Sequence, residues 1–255
     1  MCFVLVAWKS LNTMPLIIAA NRDENYARPT RALHKWPTPE PIYAGKDIEA
    51  GGTWFGINQN GRFAIVTNIR SKNHFELGNR TRGDLVTLFL KSSATVGNFA
   101  EQLLTQKNDY KPFNLLFGNE DQLCFINQRS TTVNILNPGL YALSNASLDT
   151  PWPKAVDGKK AFSDVLKKYG ANTELLFECL YDESIYADNE LPDTGVPLFL
   201  ERQLSARFIN GENYGTRSST ICTFDSKHMA TVEERNHNGK LTGDINSRFT
   251  LPLYP

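Results

Sequence analysis

The order of apolar segments in this 255-residue chain predicts an α+β fold of antiparallel sheets with segregated helices. Three observations point there. Strand-like runs arrive in consecutive blocks, helix-like runs with apolar residues at 3–4 spacing arrive in blocks of their own, and an Asn-Gly pair sits between two apolar runs. A doubly wound parallel sheet would instead alternate strand and helix singly.

Residues 2–8 form an apolar run and 14–21 another, and Ser10-Leu11-Asn12-Thr13 between them predicts a hairpin turn. Prolines 29, 37, 39 and 41 then predict a loop over the surface. Residues 51–58 and 62–69 flank Gln59-Asn60-Gly61, a hairpin signal because Asn-Gly tolerates positive φ at both turn positions. Helices are expected over 83–91, with Asp84 near the start, and over 96–106. Strands follow at 113–117, 123–127, 132–136 and 140–145, then helices at 158–168, 173–181 and 198–203. The end reads as β again, over 216–224, 229–235 and 247–251. No repeat or composition break marks a linker, so residues 1–255 read as one domain.

Charge narrows the function classes. Lys plus Arg and Asp plus Glu are 27 each, so no global field favours a nucleic acid or an anionic membrane, while a local basic pocket for a small anion stays open. The apolar start MCFVLVAW lacks a basic n-region and is interrupted by Lys9, and no run approaches a membrane span. A reducing, cytoplasmic setting is therefore expected. Cys2, Cys124, Cys179 and Cys222 lie far apart with no zinc spacing, and the last three read as core thiols. His34, His74, His228 and His237 stand singly without a metal partner, so they read as solvated or satisfied, and no phosphate-cradling Gly-rich loop appears.

Cys2 carries the most chemistry. Removal of Met1 would leave a chain whose α-amine, with a reference pKa of about 7.7–8.0, can deprotonate the thiol of the same residue. The same cysteine also suits a core or edge strand. The run Leu16-Ile17-Ile18-Ala19-Ala20 ends abruptly in Asn21-Arg22-Asp23-Glu24 at the hairpin partner of Cys2. A carboxylate there can hold an α-ammonium and an arginine can bind a substrate anion; a solvated turn is the plainer reading. The glycines of GGTWFG read as allowing close backbone approach, with Trp54 packing, and Thr150-Pro151-Trp152-Pro153 as a rigid wall near the cleft.

The chain resembles the NRDE family, the homologues of transport and Golgi organisation protein 2. The resemblance runs nearly end to end through MC, ANRDENYARPT, AGKDIEAGGTWFGIN, NGRFAIVTNIR, RTRGDLV, ALSNASLDTPWPK and YGTRSST. The same blocks are similar, more remotely, to the choloylglycine hydrolase and penicillin V acylase branch of the N-terminal-nucleophile (Ntn) hydrolases. That likeness implies a four-layer αββα sandwich of antiparallel sheets and an amide-cleaving N-terminal cysteine. By resemblance Cys2 is the nucleophile, Asp23 holds its amine, Asn68 and Asn145 are the two site asparagines with Asn145 as oxyanion donor, and Arg217 tunes the thiol. The chain has Asn-Arg-Asp-Glu where the acylases have an RNxD-type motif, which displaces Arg22. Asn68 also reads as a strand-end cap, Asn145 as a turn residue, and Arg217 as a partner for Glu24.

Two function classes follow. The family resemblance implies intracellular haem handling, or acyl-CoA and lipid homeostasis, with haem as cargo and no required cofactor. On that reading Trp54 and Trp152 wall the apolar body, and Asn21, Arg22, Glu24, Arg28 and Arg217 surround the anionic end of an amphipathic ligand. The residues alone favour the alternative, an N-terminal cysteine amidohydrolase acting on a small amide. The resemblance places haem handling first.

Overall fold

A computed structural model describes residues 2–72, 78–237 and 247–254 of the chain. Two antiparallel sheets lie face to face. The first has the order β10-β1-β2-β11-β12-β13, built from β1 (Cys2–Leu11), β2 (Met14–Asn25), β10 (Gly139–Leu143), β11 (Tyr214–Phe224), β12 (Met229–Asn236) and β13 (Ser247–Pro252). The second runs β3-β4-β5-β6-β7-β8-β9 in chain order: β3 (Thr30–Lys35), β4 (Ile42–Asp47), β5 (Phe55–Asn58), β6 (Phe63–Asn68), β7 (Phe113–Gly118), β8 (Leu123–Asn127) and β9 (Asn134–Ile135).

Period-2 alternation decides which residues meet between the sheets. Val4, Val6 and Trp8 of β1 and Leu16, Ile18 and Ala20 of β2 join Phe63, Ile65 and Phe224 in the central core. Phe63 stands at its middle, 6.5 Å from the Trp8 ring and edge-on to Phe224 at 5.6 Å. The alternate residues Phe3, Leu5, Ile17 and Ala19 face outward and are covered by α3 (Pro153–Tyr169) and α4 (Thr173–Glu178). On the far side α1 (Arg82–Lys91) and α2 (Val96–Gln106) cover Ala64, Val66, Leu115 and Phe117. With both sheets covered, the architecture is the αββα sandwich. Helix α5 (Leu198–Gln203) is a short outer element.

Local differences from the sequence reading have physical causes. The proline-rich stretch expected as loop contains β3 and β4, with Pro37, Pro39 and Pro41 confined to their connection. β3 is an edge strand, so it pairs on one side only. The Asn60-Gly61 hairpin between β5 and β6 forms, but only Gly61 has positive φ, at 68°. Asn58 Oδ1 accepts from the amides of Asn60 and Arg62, giving a three-residue loop that places its one left-handed residue at the glycine. The strand expected at 132–136 is reduced to two residues, and α3 begins at Pro153, whose missing N–H costs nothing at the first helical position. The expected rigid loop is thus partly the start of a helix. His74 lies outside the described residues.

The three non-terminal cysteines are free and buried, as core thiols, and burial pushes Cys124 up to about 12 and Cys179 to about 11. No described helix is long and apolar enough to cross a membrane.

Candidate functional site

The first sheet's β1–β2 hairpin delivers the site. Cys2 pairs with Arg22, so the chain start lies beside the polar end of β2, and both follow the inward parity of Val4 and Ala20. A bulge in β11 between Thr216 and Ser218 shifts its register against the end of β2, and Asp23 also borders the cleft. The cleft encloses about 190 Å³, and seven expected residues line it: Cys2, Arg22, Asp23, Glu24, Arg28, Trp54 and Asn68.

Its groups are held closely. The buried Asp23 carboxylate accepts from Thr216 Oγ1 at 2.8 Å, and burial pushes its pKa up. Below it Lys154, in the first turn of α3, is driven down to about 8 by burial while its Nζ donates to the Leu204 carbonyl at 2.7 Å. Burial also raises the Cys2 thiol, against the opposing pull of Arg22 and the Asp23 backbone amide. Such a thiol stays protonated near neutrality, so reactivity needs a local base. Arg22 donates to Thr30 Oγ1 at 2.9 Å, and its guanidinium lies 4.0 Å from the Trp54 ring centre. Arg28 is bound by Asp47 at 2.7 Å and Glu49 at 3.2 Å.

Asn145 and Asn68, the two site asparagines of the resemblance, are bonded to each other. Both Asn145 Nδ2 contacts go to Asn68, 2.9 Å to Oδ1 and 3.2 Å to the carbonyl. Asn68 lines the cleft and Asn145 does not. With its Oδ1 already engaged, Asn68 keeps its amide nitrogen for the cleft. Asn145 is fixed in turn through its carbonyl, which accepts the Arg70 amide at 2.7 Å.

Three other expected ligand residues stand away. Asn21 is a buried tie whose Nδ2 donates to the Leu180 and Arg207 carbonyls. Arg217 donates to the Asn25 and Arg28 carbonyls, bracing the turn after β2 from outside the cleft, and has no ion pair with Glu24. Trp152 sits under the Arg70 guanidinium at 4.8 Å, so it supports the Arg70 strut rather than walling the cleft. His237, expected as solvated or satisfied, is instead 3% exposed and half satisfied, its Nδ1 lacking a partner.

Several cleft residues were missed: Asp47, Thr81, Arg82, Gly83 and Lys111. Asp47 and Arg82 stand inside the blocks AGKDIEAGG and RTRGDLV, so the signal was present there, without a distance to attach it to the thiol. Of the GGTWFG glycines, Gly52 fulfils the close-approach expectation, whereas Gly51 has open space around it and a φ of 81°. A Cβ at Gly52 would meet the Gly83 carbonyl carbon at 2.6 Å, and one at Gly45 would meet the Trp54 ring at 2.4 Å.

The sequence pattern defining the Transport and Golgi organisation 2 family matches residues 1–239. The chain belongs to that family. The mouse homologue is 34% identical over 244 residues, covering 89% of this chain and 88% of its own, and the human homologue is 33% identical over the same span. The Drosophila melanogaster protein is 28% identical over 245 residues, 86% of this chain and 85% of its own. Among solved structures, a mutant of conjugated bile acid hydrolase from Clostridium perfringens, with alanine in place of its cysteine at position 2, superposes with a TM-score of 0.56 at 11% identity, covering 99% of this family member and 92% of the hydrolase. An arginine-to-leucine variant of that hydrolase gives 0.51 at 11% identity, over 99% and 97%. At that identity the likeness establishes the Ntn-hydrolase-type fold alone.

Proposed function

We propose that the chain is an N-terminal cysteine hydrolase that cleaves the amide bond of a small acyl amide after Met1 is removed. One observation carries the reading: the Cys2 thiol, the buried Asp23 carboxyl and Asn68, held by Asn145 behind it, meet at one small cleft. Cys2 Sγ attacks the amide carbonyl carbon while its own α-amine takes the thiol proton. Asp23 holds the resulting α-ammonium. The carbonyl oxygen gains the negative charge, and the Asn68 amide, locked by Asn145, donates to it. As the C–N bond breaks, the α-ammonium returns its proton to the leaving amine. Water then cleaves the thioester, releasing the acid and restoring the thiol. Cys2→Ala removes the nucleophile, so turnover in an amide screen is expected to fall by roughly a thousandfold or more. Unchanged turnover in that variant discards the reading.

A second reading, carriage of haem or an acyl-CoA in the cytosol, draws on the family's association with transport and on the Arg22–Trp54 stack. A cation-capped indole suits the junction between the apolar body and the anionic end of an amphipath. A cleft of about 190 Å³ takes only one end of such a molecule. Absorbance titration with haem, and calorimetry with acyl-CoA, test it; no binding of either at micromolar protein removes it.

A further inference from the structure

The cleft's arginines are not equivalent. Arg22 is engaged by Thr30 and faces Asp47 at 3.9 Å. Arg28 is neutralised by Asp47 and Glu49, with Glu24 at 4.0 Å. Arg217 is held outside the cleft, where one guanidinium nitrogen donates to two backbone carbonyls. Arg82 differs from all three. It lines the cleft at the first turn of α1, and among the described residues it makes no hydrogen bond and no ion pair. Burial nevertheless lowers its pKa, and its through-space neighbours include Cys2 and Glu24.

A partly buried guanidinium that has no counter-ion and opens into a cleft is free to pair with the anion of a ligand there. The residue before it supports the same conclusion. Thr81 occupies the N-cap position of α1, yet its hydroxyl accepts no helix amide, and its Oγ1 is buried without a partner. Lys111 adds a second cation to the lining, and none of the ion pairs among the described residues involves it. The carboxylates of the cleft are already committed. Asp47 serves two arginines, Asp23 is tied to Thr216, and Glu24 caps the Asn25 amide and faces Arg28.

We infer that Arg82 is the specificity residue of this cleft, binding an anionic oxygen group, carboxylate or phosphate, of a ligand whose scissile or apolar part lies against Cys2. The inference rests on the preceding identification of the cleft, not on hydrolysis there. The planar guanidinium presents paired donors to two anion oxygens, a geometry that lysine lacks. The ligand class is therefore an anionic acyl amide or a long-chain alkyl phosphate, not a neutral amide.

Calorimetric titration in a Cys2→Ala background separates binding from turnover. The probes are decanoylglycine, its neutral methyl ester, and decyl phosphate; the last distinguishes phosphate from carboxylate. Arg82→Met is expected to weaken the preferred anionic probe by about tenfold or more while leaving the ester unchanged, with Arg82→Lys between them. Thermal melts of the variants confirm that the fold is retained. Equal weakening of ester and anion, or no preference for either anion over the ester in the Arg82-containing protein, overturns the inference. Loss of amide turnover in every screen, with the Arg82 preference intact, refutes the hydrolase reading and leaves this one standing.

Discussion

Glu234 and His237 stand three residues apart and titrate in opposite senses. Burial raises the Glu234 carboxyl from its usual 4.5 to about 7, while its Oε1 accepts the Leu33 amide at 2.7 Å. The folded state therefore binds more protons than the unfolded one between those values. Stability from this group is complete below 4.5 and is lost as pH rises to about 7, by about 3 kcal/mol. Glu234→Gln keeps the neutral form, so its chemical-denaturation stability relative to the parent is expected to climb across that window. Burial lowers His237 from 6.5 to about 4, so its contribution is present above 6.5 and lost on acidification. Its tautomer follows from its neighbours. Asn21 Nδ2 donates to two carbonyls, Ser219 Oγ must then donate to Asn21 Oδ1, and so His237 Nε2 carries the proton toward Ser219. On the hydrolase reading Asn145 acts one residue back from the chemistry, through its bond to Asn68. Asn145→Ala would free the Asn68 amide to rotate, and kcat is expected to fall by roughly ten- to a hundredfold with a smaller change in KM. At this scale the sequence exposed residue types well. Cys2 and the Asn-Arg-Asp-Glu strand end stood out because polar groups interrupt an apolar run. It did not expose direction: whether Asn21 or Arg22 faces the cleft depends on strand parity against the covering helices.

Two glycines join the elements that frame the site. Gly52, just before β5, lies against the backbone of Gly83 in the first turn of α1, and the Thr53 amide faces the Gly83 carbonyl at 3.4 Å. A methyl group at Gly52 has no flexible neighbour to displace, since its nearest atoms are backbone. Gly52→Ala is expected to cost about 1–3 kcal/mol in thermal or urea unfolding and to shift Arg82, weakening ligand binding as well. Helices α1 and α2 were legible because packing against a sheet forces apolar 3–4 spacing. β3 was not: as an edge strand bordered by prolines it carries a single buried apolar anchor, Leu33, and so shows little alternation.

At the scale of the molecule, the two sheets share one inter-sheet core, and Trp8 fills its first-sheet side beside Phe63. Trp8→Ala is expected to remove about 3–5 kcal/mol of unfolding free energy. The layered architecture followed from the blockwise order of strands and helices, because segregated elements cannot alternate around a parallel sheet. The pairing order did not follow. β1 pairs with β10 and β2 with β11, contacts between segments far apart in the chain that leave no trace in local pattern.

The position of Cys2 within β1 also sets a schedule. Cys2 is 7% exposed and Phe3 is fully buried, in a strand held between β10 and β2, and β2 pairs on its other side with β11, which is synthesised far later. At ribosomal speeds of about 5–20 residues per second, roughly ten seconds or more separate the emergence of Asp23 from that of Thr216. An aminopeptidase that trims the initiator residue needs the first residues as free, extended chain. On the hydrolase reading, unmasking the thiol therefore belongs to the nascent chain, and a molecule that folds with Met1 in place lacks the α-amine that reading requires.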